Sequence, residues 1–252
     1  GQYNTLLGGQ SGDAITTGSS NVAIGYFALS AEDGHGLNVA VGNRTLANQN
    51  AGADAYNVAV GFDAGLSVTT GIKNTIVGGL AGDALTDADE NVAIGVSALG
   101  ADTLGSKTTV IGQGALQVQN FTTATDTYNV AVGFSAGNQV TTGIFNTLLG
   151  GLSGDALTTG TRNVAVGKDA LTSDTLGSRS VAVGFAALFS QNFTTATDAY
   201  NVAVGEQAGL NVTTGTNNTL LGGLAGDAFT TGADNVALGY NALTADTLGS
   251  RS

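Results

Sequence analysis

Cysteine, proline, methionine and tryptophan are all absent from the 252 residues. Without cysteine the redox compartment stays open. The single histidine, His35, has neither a thiol nor a second imidazole to join it in a metal site, so it reads as a solvated loop residue. Charge is scarce, at 10% of residues, and one-sided: 19 acidic against 7 basic side chains, a net charge of -12. That balance argues against nucleic acid and against an anionic membrane surface as partner. No apolar run approaches the ~20 residues of a membrane helix, and no signal peptide is visible at Gly1. Yet 42% of the residues are apolar and 40 are glycine, placed at a strict period, which argues for order rather than disorder.

What the chain does contain is one five-residue phrase, Asn-Val-Ala-Val-Gly at Asn57 to Gly61, repeated with small changes. It starts at Asn4, Asn21, Asn38, Asn57, Asn74, Asn91, Thr108, Asn129, Asn146, Asn163, Ser180, Asn201, Asn218 and Asn235. Most starts lie 17 residues apart; one step is 19 and two are 21. A short fixed period of this kind predicts a solenoid with one coil per repeat, hence an all-β, parallel β-roll of 14 coils.

Counting the Asn as coil position 1, position 2 is always Val or Thr, position 4 always Leu, Ile or Val, and position 5 always Gly. Branched residues at this density predict a strand. Stacked Asn57, Asn74, Asn91, Asn129 and Asn201 suit an amide ladder along the axis. Gly61, Gly78, Gly95, Gly133 and Gly205 suit a strand end that needs positive φ or close backbone approach. A second short strand is expected near positions 10 to 14.

Period 2 sends positions 2 and 4 to one face and position 3 to the other. Position 3 is never polar, so both faces need cover. The expectation is that positions 2 and 4 fill the coil, while Ala59, Ile76, Ala93, Val110, Ala131 and Leu148 face a partner chain. Three copies around an axis are one way to cover them. A further coupling ties position 9 to position 12. Leu99 goes with Asp102 and Leu116 with Gln119, but Gly65 goes with Val68 and Gly82 with Leu85. Each coil then carries one large apolar group in this region, as dense packing requires.

Four coils make a 72-residue unit, with Asn57, Asn129 and Asn201 starting successive units. No linker or composition shift marks a domain boundary, so residues 1–252 read as a single array. Pattern continues into both ends, which predicts a piece of a longer repetitive protein.

Asn-Val-Ala-Ile-Gly at Asn21 and Asn91, with Ala28-Leu29, Ala98-Leu99 and Ala242-Leu243 following the phrase, resembles the head repeats of trimeric autotransporter adhesins, the YadA-head type. It is also similar to repeats in phage tail-fibre proteins. The resemblance implies a left-handed β-roll, three chains side by side, on a cell or virion surface. The chain departs from the adhesin phrase at position 2, where Val or Thr stands in place of Ser, and in its longer period.

No nucleophile–base pair can be drawn, no coil differs from its copies as a catalytic cleft requires, and no glycine-rich nucleotide motif precedes a helix. The chain is therefore expected to be no enzyme and to need no cofactor. Asp13, Asp83, Asp155 and Asp227 recur once per four coils, and only a symmetric trimer would bring copies together around Ca²⁺. Thr69, Thr86 and Thr103 raise an ice-binding reading, interrupted at Asn120 and Asn192. The repeated loops Gln119–Tyr128 and Gln191–Tyr200 raise a second, glycan- or protein-binding reading. The leading expectation is a structural fibre: a homotrimer, open to end-to-end stacking, outside a cell or on a virion.

Overall fold

The computed structural model describes residues 1–251. These fall into two compact units, the first Gly1–Tyr128 and the second beginning at Asn129. Each unit is a run of stacked coils with no helix among the described residues. In each, seven three-residue strands occupy coil positions 2 to 4, from Thr5–Leu7 to Thr109–Ile111 and from Val130–Val132 to Val236–Leu238. The chain is thus the expected all-β parallel solenoid.

Every strand pairs in parallel with the strand one coil away, and like positions always meet. Val58 faces Thr75, Ala59 faces Ile76 and Val60 faces Val77. The longer steps do not disturb this: Val39 still faces Val58, and Val181 still faces Val202. Their extra residues are accommodated elsewhere in the coil.

The strands face the opposite way from the sequence expectation. Position 3 is the interior of the coil. Ala59, Ile76, Ala93, Val110 and Ala131 are fully buried and Leu148 is 1% exposed, so none of the six offers surface to a partner chain. Positions 2 and 4 lie on the outside, mostly half-buried. The reason is volume. The space between the strand and the turn opposite it is shared by positions 3, 9 and 12. A Cβ added to Gly154 at position 9 would meet Leu148 Cδ2 at 2.8 Å and Leu157 Cδ1 at 2.9 Å. Gly226 is hemmed in likewise by Leu220 and Phe229. Where position 9 is Leu, position 3 is Ala in every coil but one, as at Leu99 with Ala93 and Leu171 with Ala165; the exception is Leu116 with Val110. Two β-branched columns at 2 and 4 would overfill so thin a layer.

The second expected strand, at positions 10 to 14, is absent among the described residues. Those positions form turns and bends. Instead, two-residue strands occur beside the long coils, Gly105–Ser106 with Thr125–Asp126 and Gly177–Ser178 with Thr197–Asp198.

The turns are built from left-handed residues. Each coil has positive φ at position 5, position 7, position 9 and the residue before the next Asn. Position 5 is always Gly, at φ from 121° to 143°, and a Cβ on Gly61 would stand 2.5 Å from the carbonyl oxygen of Gly78. Both reasons for the glycine hold. The other three sites are mostly ordinary residues such as Leu99, Lys107 and Ser97. Such backbone costs about 1–2 kcal/mol per residue, offset here because each site keeps a bond to a neighbouring coil. Leu99 N donates to Ala115 O at 3.1 Å, Ser97 N to Gly79 O at 3.0 Å and Lys107 N to Asp89 O at 3.0 Å. None of the non-glycine positive-φ residues is Val, Ile or Thr, the types whose branched Cβ fits this region worst.

Candidate functional site: the outer face of the strand column

The outward side of each strand column is apolar. Position 4 presents Val60, Ile111 and Val204 at 37–39% exposure, beside Val and Thr of position 2. Aromatic side chains flank it on both sides. Tyr26, Phe62, Phe134 and Phe185 stand at position 6, and Tyr56, Tyr128 and Tyr200 precede the Asn; all are about half exposed. A row of exposed aliphatic and aromatic groups of this kind marks an interface.

The basic residues gather on its margins. Arg44 lies over the Phe62 ring, Lys107 over Tyr128, Arg162 over Phe145, Lys168 over Phe185 and Arg179 over Tyr200, at 5.3–5.7 Å. Arg44 also pairs with Asp63, Lys73 with Glu90 at 3.3 Å, and Arg179 with Asp198 at 2.9 Å. Exposed pairs of this kind contribute little to stability. Their effect is to hold the flanking rings in place and to keep charge off the central columns.

Beneath the face runs the asparagine column, buried from Asn21 to Asn235. Asn146 shows its bonding. Its Oδ1 accepts from the backbone N of Asn163 in the next coil at 2.9 Å, and its Nδ2 donates to Gly160 O of its own coil at 2.9 Å. Asn74 repeats both bonds, to Asn91 and Ala88, and Asn91 repeats them to Thr108 and Gly105. The ladder is therefore mainly amide-to-backbone. Amide-to-amide bonds occur at Asn74 with Asn57 and at Asn218 with Asn201. Asn129 and Asn201 likewise tie down Gly143 and Gly215.

The sequence reading missed a second buried polar set. Asp102 and Asp174, at position 12, are fully buried rather than outside. Asp174 Oδ1 accepts from Gly177 N at 3.0 Å and Phe193 N at 3.2 Å, and its Oδ2 from Gln191 Nε2 at 2.6 Å. Asp102 makes the same bonds with Gly105, Phe121 and Gln119. Burial pushes both carboxyls above the usual carboxylate range, against the opposing pull of these donors. Gln191 passes the bonding on to Ser180 Oγ at 2.9 Å and takes a bond from Asn201 at 2.8 Å. The clue in the sequence was Ser180 and Thr108 interrupting the Asn column where Gln191 and Gln119 arrive to take over its bonding. With both oxygens occupied and no access to solvent, these carboxylates hold the long coils in place.

The position-10 aspartates sit in separate coils. Asp83 lines an open groove of about 290 Å³ with Leu80, Ser97, Gly100, Ala101, Gln117 and Val118, and burial raises its carboxyl. In the second unit Thr172 stands where Gly100 stands in the first, and its hydroxyl donates to Asp155. The threonine column is engaged internally. Thr86 Oγ1 donates to Thr103 O at 3.1 Å, Thr158 Oγ1 to Thr175 O at 3.0 Å and Thr230 Oγ1 to Thr247 O at 3.0 Å. The repeated loops are pinned by nearly buried Phe121 and Phe193 and expose residues 122–124 and 194–196. Among the described residues, one trio of metal-ligating types comes together, Glu32, Asp33 and His35. The isolated loop histidine of the sequence therefore has two carboxylates beside it. Comparison with family models and with curated proteins finds no match to this chain.

Proposed function

We propose that the chain is a self-associating structural segment of a surface fibre, built as a homotrimer outside a cell or on a virion. One observation carries this reading: the outward columns are Val or Thr at position 2 and Val, Ile or Leu at position 4, regular and free of charge, while the interior is already filled by the chain itself. Full burial of a Val or Leu side chain contributes about 1.5–3 kcal/mol. Even half of that per coil, multiplied along a repeated face, favours a second and third copy. Cyclic symmetry closes such a face on itself, which keeps it from recruiting copies sideways without limit.

The interface of this trimer is the outer face at Val60 and Val204, not the position-3 column. Uncapped solenoid coils can also stack end to end, and that arrangement belongs to the same reading. Solution mass by light scattering tests it. The expected value is about 74 kDa, three times the 24.7 kDa chain. Val60→Asp with Val204→Asp is expected to return 24.7 kDa with an unchanged far-ultraviolet spectrum. A wild-type mass of 24.7 kDa refutes the assembly.

The second reading, a binding module, draws support from the exposed loop tips at 122–124 and 194–196, which present the same sequence twice. Substituting both tips and losing capture of a surface glycan, with the trimer intact, would favour it.

A further inference from the structure

We propose that Glu32, Asp33 and His35 form a site for a divalent transition-metal ion of the Zn²⁺ class. The argument begins with an internal comparison. Position 12 is Asp in the coils at Asn91, Asn163 and Asn235, and Glu32 in the coil at Asn21. In the buried copies, Asp102 and Asp174, both carboxylate oxygens are satisfied, by a backbone N three residues on and by a Gln from the next coil. Glu32 keeps the first bond: its Oε1 accepts from His35 N at 3.1 Å. It does not keep the second. Glu32 Oε2 and Gln49 Nε2, the atoms corresponding to that pair, each lack a hydrogen-bond partner among the described residues.

Glu32 is nonetheless fully buried. A buried carboxylate oxygen with nothing bound to it is costly, and the two sister copies show that this fold can supply a partner. The longer side chain instead places its carboxylate beside the imidazole. His35 Nδ1 lies 3.8 Å from Glu32 Oε1, is itself buried, and has no hydrogen-bond partner among the described residues. A carboxylate oxygen of Asp33 completes the group, all three ligand atoms lying within 4.8 Å of one another. Asp33 is exposed and His35 half-buried, which leaves an entry path from solvent.

One imidazole and two carboxylates, with room for water, suit Zn²⁺ or a neighbouring transition ion better than Mg²⁺ or Ca²⁺, which take oxygen ligands. Bound at ~2.0–2.2 Å, tetrahedral ligand atoms stand ~3.4 Å apart, so the 3.8 Å His35–Glu32 pair must close by about 0.4 Å and any pair near the 4.8 Å limit by about 1.4 Å, a movement that falls to the exposed Asp33. The ion would give a partner to Glu32 Oε2 and His35 Nδ1, though not to the donor Gln49 Nε2. It would also pin the loop of this coil, the role that Gln119 and Gln191 play in the others. This inference does not depend on the oligomeric state.

His35 is the only histidine, so its ring resonances report the site without ambiguity. The test is titration of the whole chain with ZnCl₂, read by the His35 ring signals and by calorimetry. One equivalent per chain and a shifted His35 spectrum are expected. Binding should be lost in His35→Gln and weakened at least tenfold in Asp33→Asn, both on accessible side chains, while Asp13→Asn leaves it unchanged. Equal binding by His35→Gln, or unshifted His35 signals in excess Zn²⁺, overturns the proposal. So does Mg²⁺ competing on equal terms.

Discussion

Replacing Asn146 by Ala isolates what the asparagine column does. The side chain is fully buried and makes two bonds, accepting from Asn163 N and donating to Gly160 O, each at 2.9 Å. Alanine removes both and leaves a buried N–H and a buried C=O. Each stranded group costs about 1–3 kcal/mol, so the coil should lose roughly 2–6 kcal/mol of local stability. Because a solenoid's stability is a sum of coil and neighbour terms, the loss should be local. Hydrogen exchange at the Asn163 amide reads it directly, with a fall in protection of at least tenfold expected for each 1.4 kcal/mol. Amides three coils away should change far less. Asn146→Ser is the control, since Ser180 occupies the same column position. Ser180, however, is supported by Gln191 at 2.9 Å, and position 146 has no such glutamine. Serine should therefore rescue little. If the Asn163 amide in Asn146→Ala exchanges within twofold of wild type, the column is not what joins the coils.

Three other outcomes follow from the same geometry. Gly154→Leu should destabilise by about 1–3 kcal/mol through overpacking against Leu148 and Leu157; adding Leu148→Ala and Leu157→Ala should restore most of it, measured as a denaturation cycle, since Leu171 accepts the same φ. Burial holds Asp102 and Asp174 above their ordinary value of 3.8, so the folded chain binds protons that the unfolded chain has released. Stability should then fall as pH rises through the folded-state value and recover on acidification towards 3.8, and Asp174→Asn should flatten that slope in denaturation curves taken across the range. Ala131→Asp should unfold its own coil, seen as lost β signal, because position 3 is interior; a folded chain that merely changes its mass would return position 3 to the surface.

The repeat made much of this fold legible. Asn57 and Gly61 announced a bonded column and a strand end, and both are there. Alternation alone, however, says only that positions 2 and 4 share a face, never which face is inside. The choice was encoded further along the coil. Ile76, Leu148 and Leu220 at position 3 accompany Gly82, Gly154 and Gly226 at position 9, while Ala93 and Ala165 accompany Leu99 and Leu171. The trade is partial, since Ala59, Ala131 and Ala203 also go with Gly and Val110 goes with Leu116, but Leu at position 3 never meets Leu at position 9, as positions sharing one space require. The buried Asp102 and Asp174 were hidden for a different reason. A polar residue in a turn normally faces water, and only the distant Gln119 and Gln191 reveal that these do not.

The left-handed corners carry a consequence for how such a chain can diversify. Compare the residue before the Asn in successive copies of one coil: Lys73, Phe145 and Asn217, or Glu90, Arg162 and Asp234. Charge, size and polarity have all drifted freely, yet every one of these residues has positive φ and none branches at Cβ. Val, Ile and Thr are used in the strands, which begin two residues further on. Drift at these corners is filtered by backbone shape rather than by side-chain chemistry. New surface properties can therefore arise at the corners of duplicated coils without disturbing the stack, provided that the incoming codon does not specify a β-branched residue.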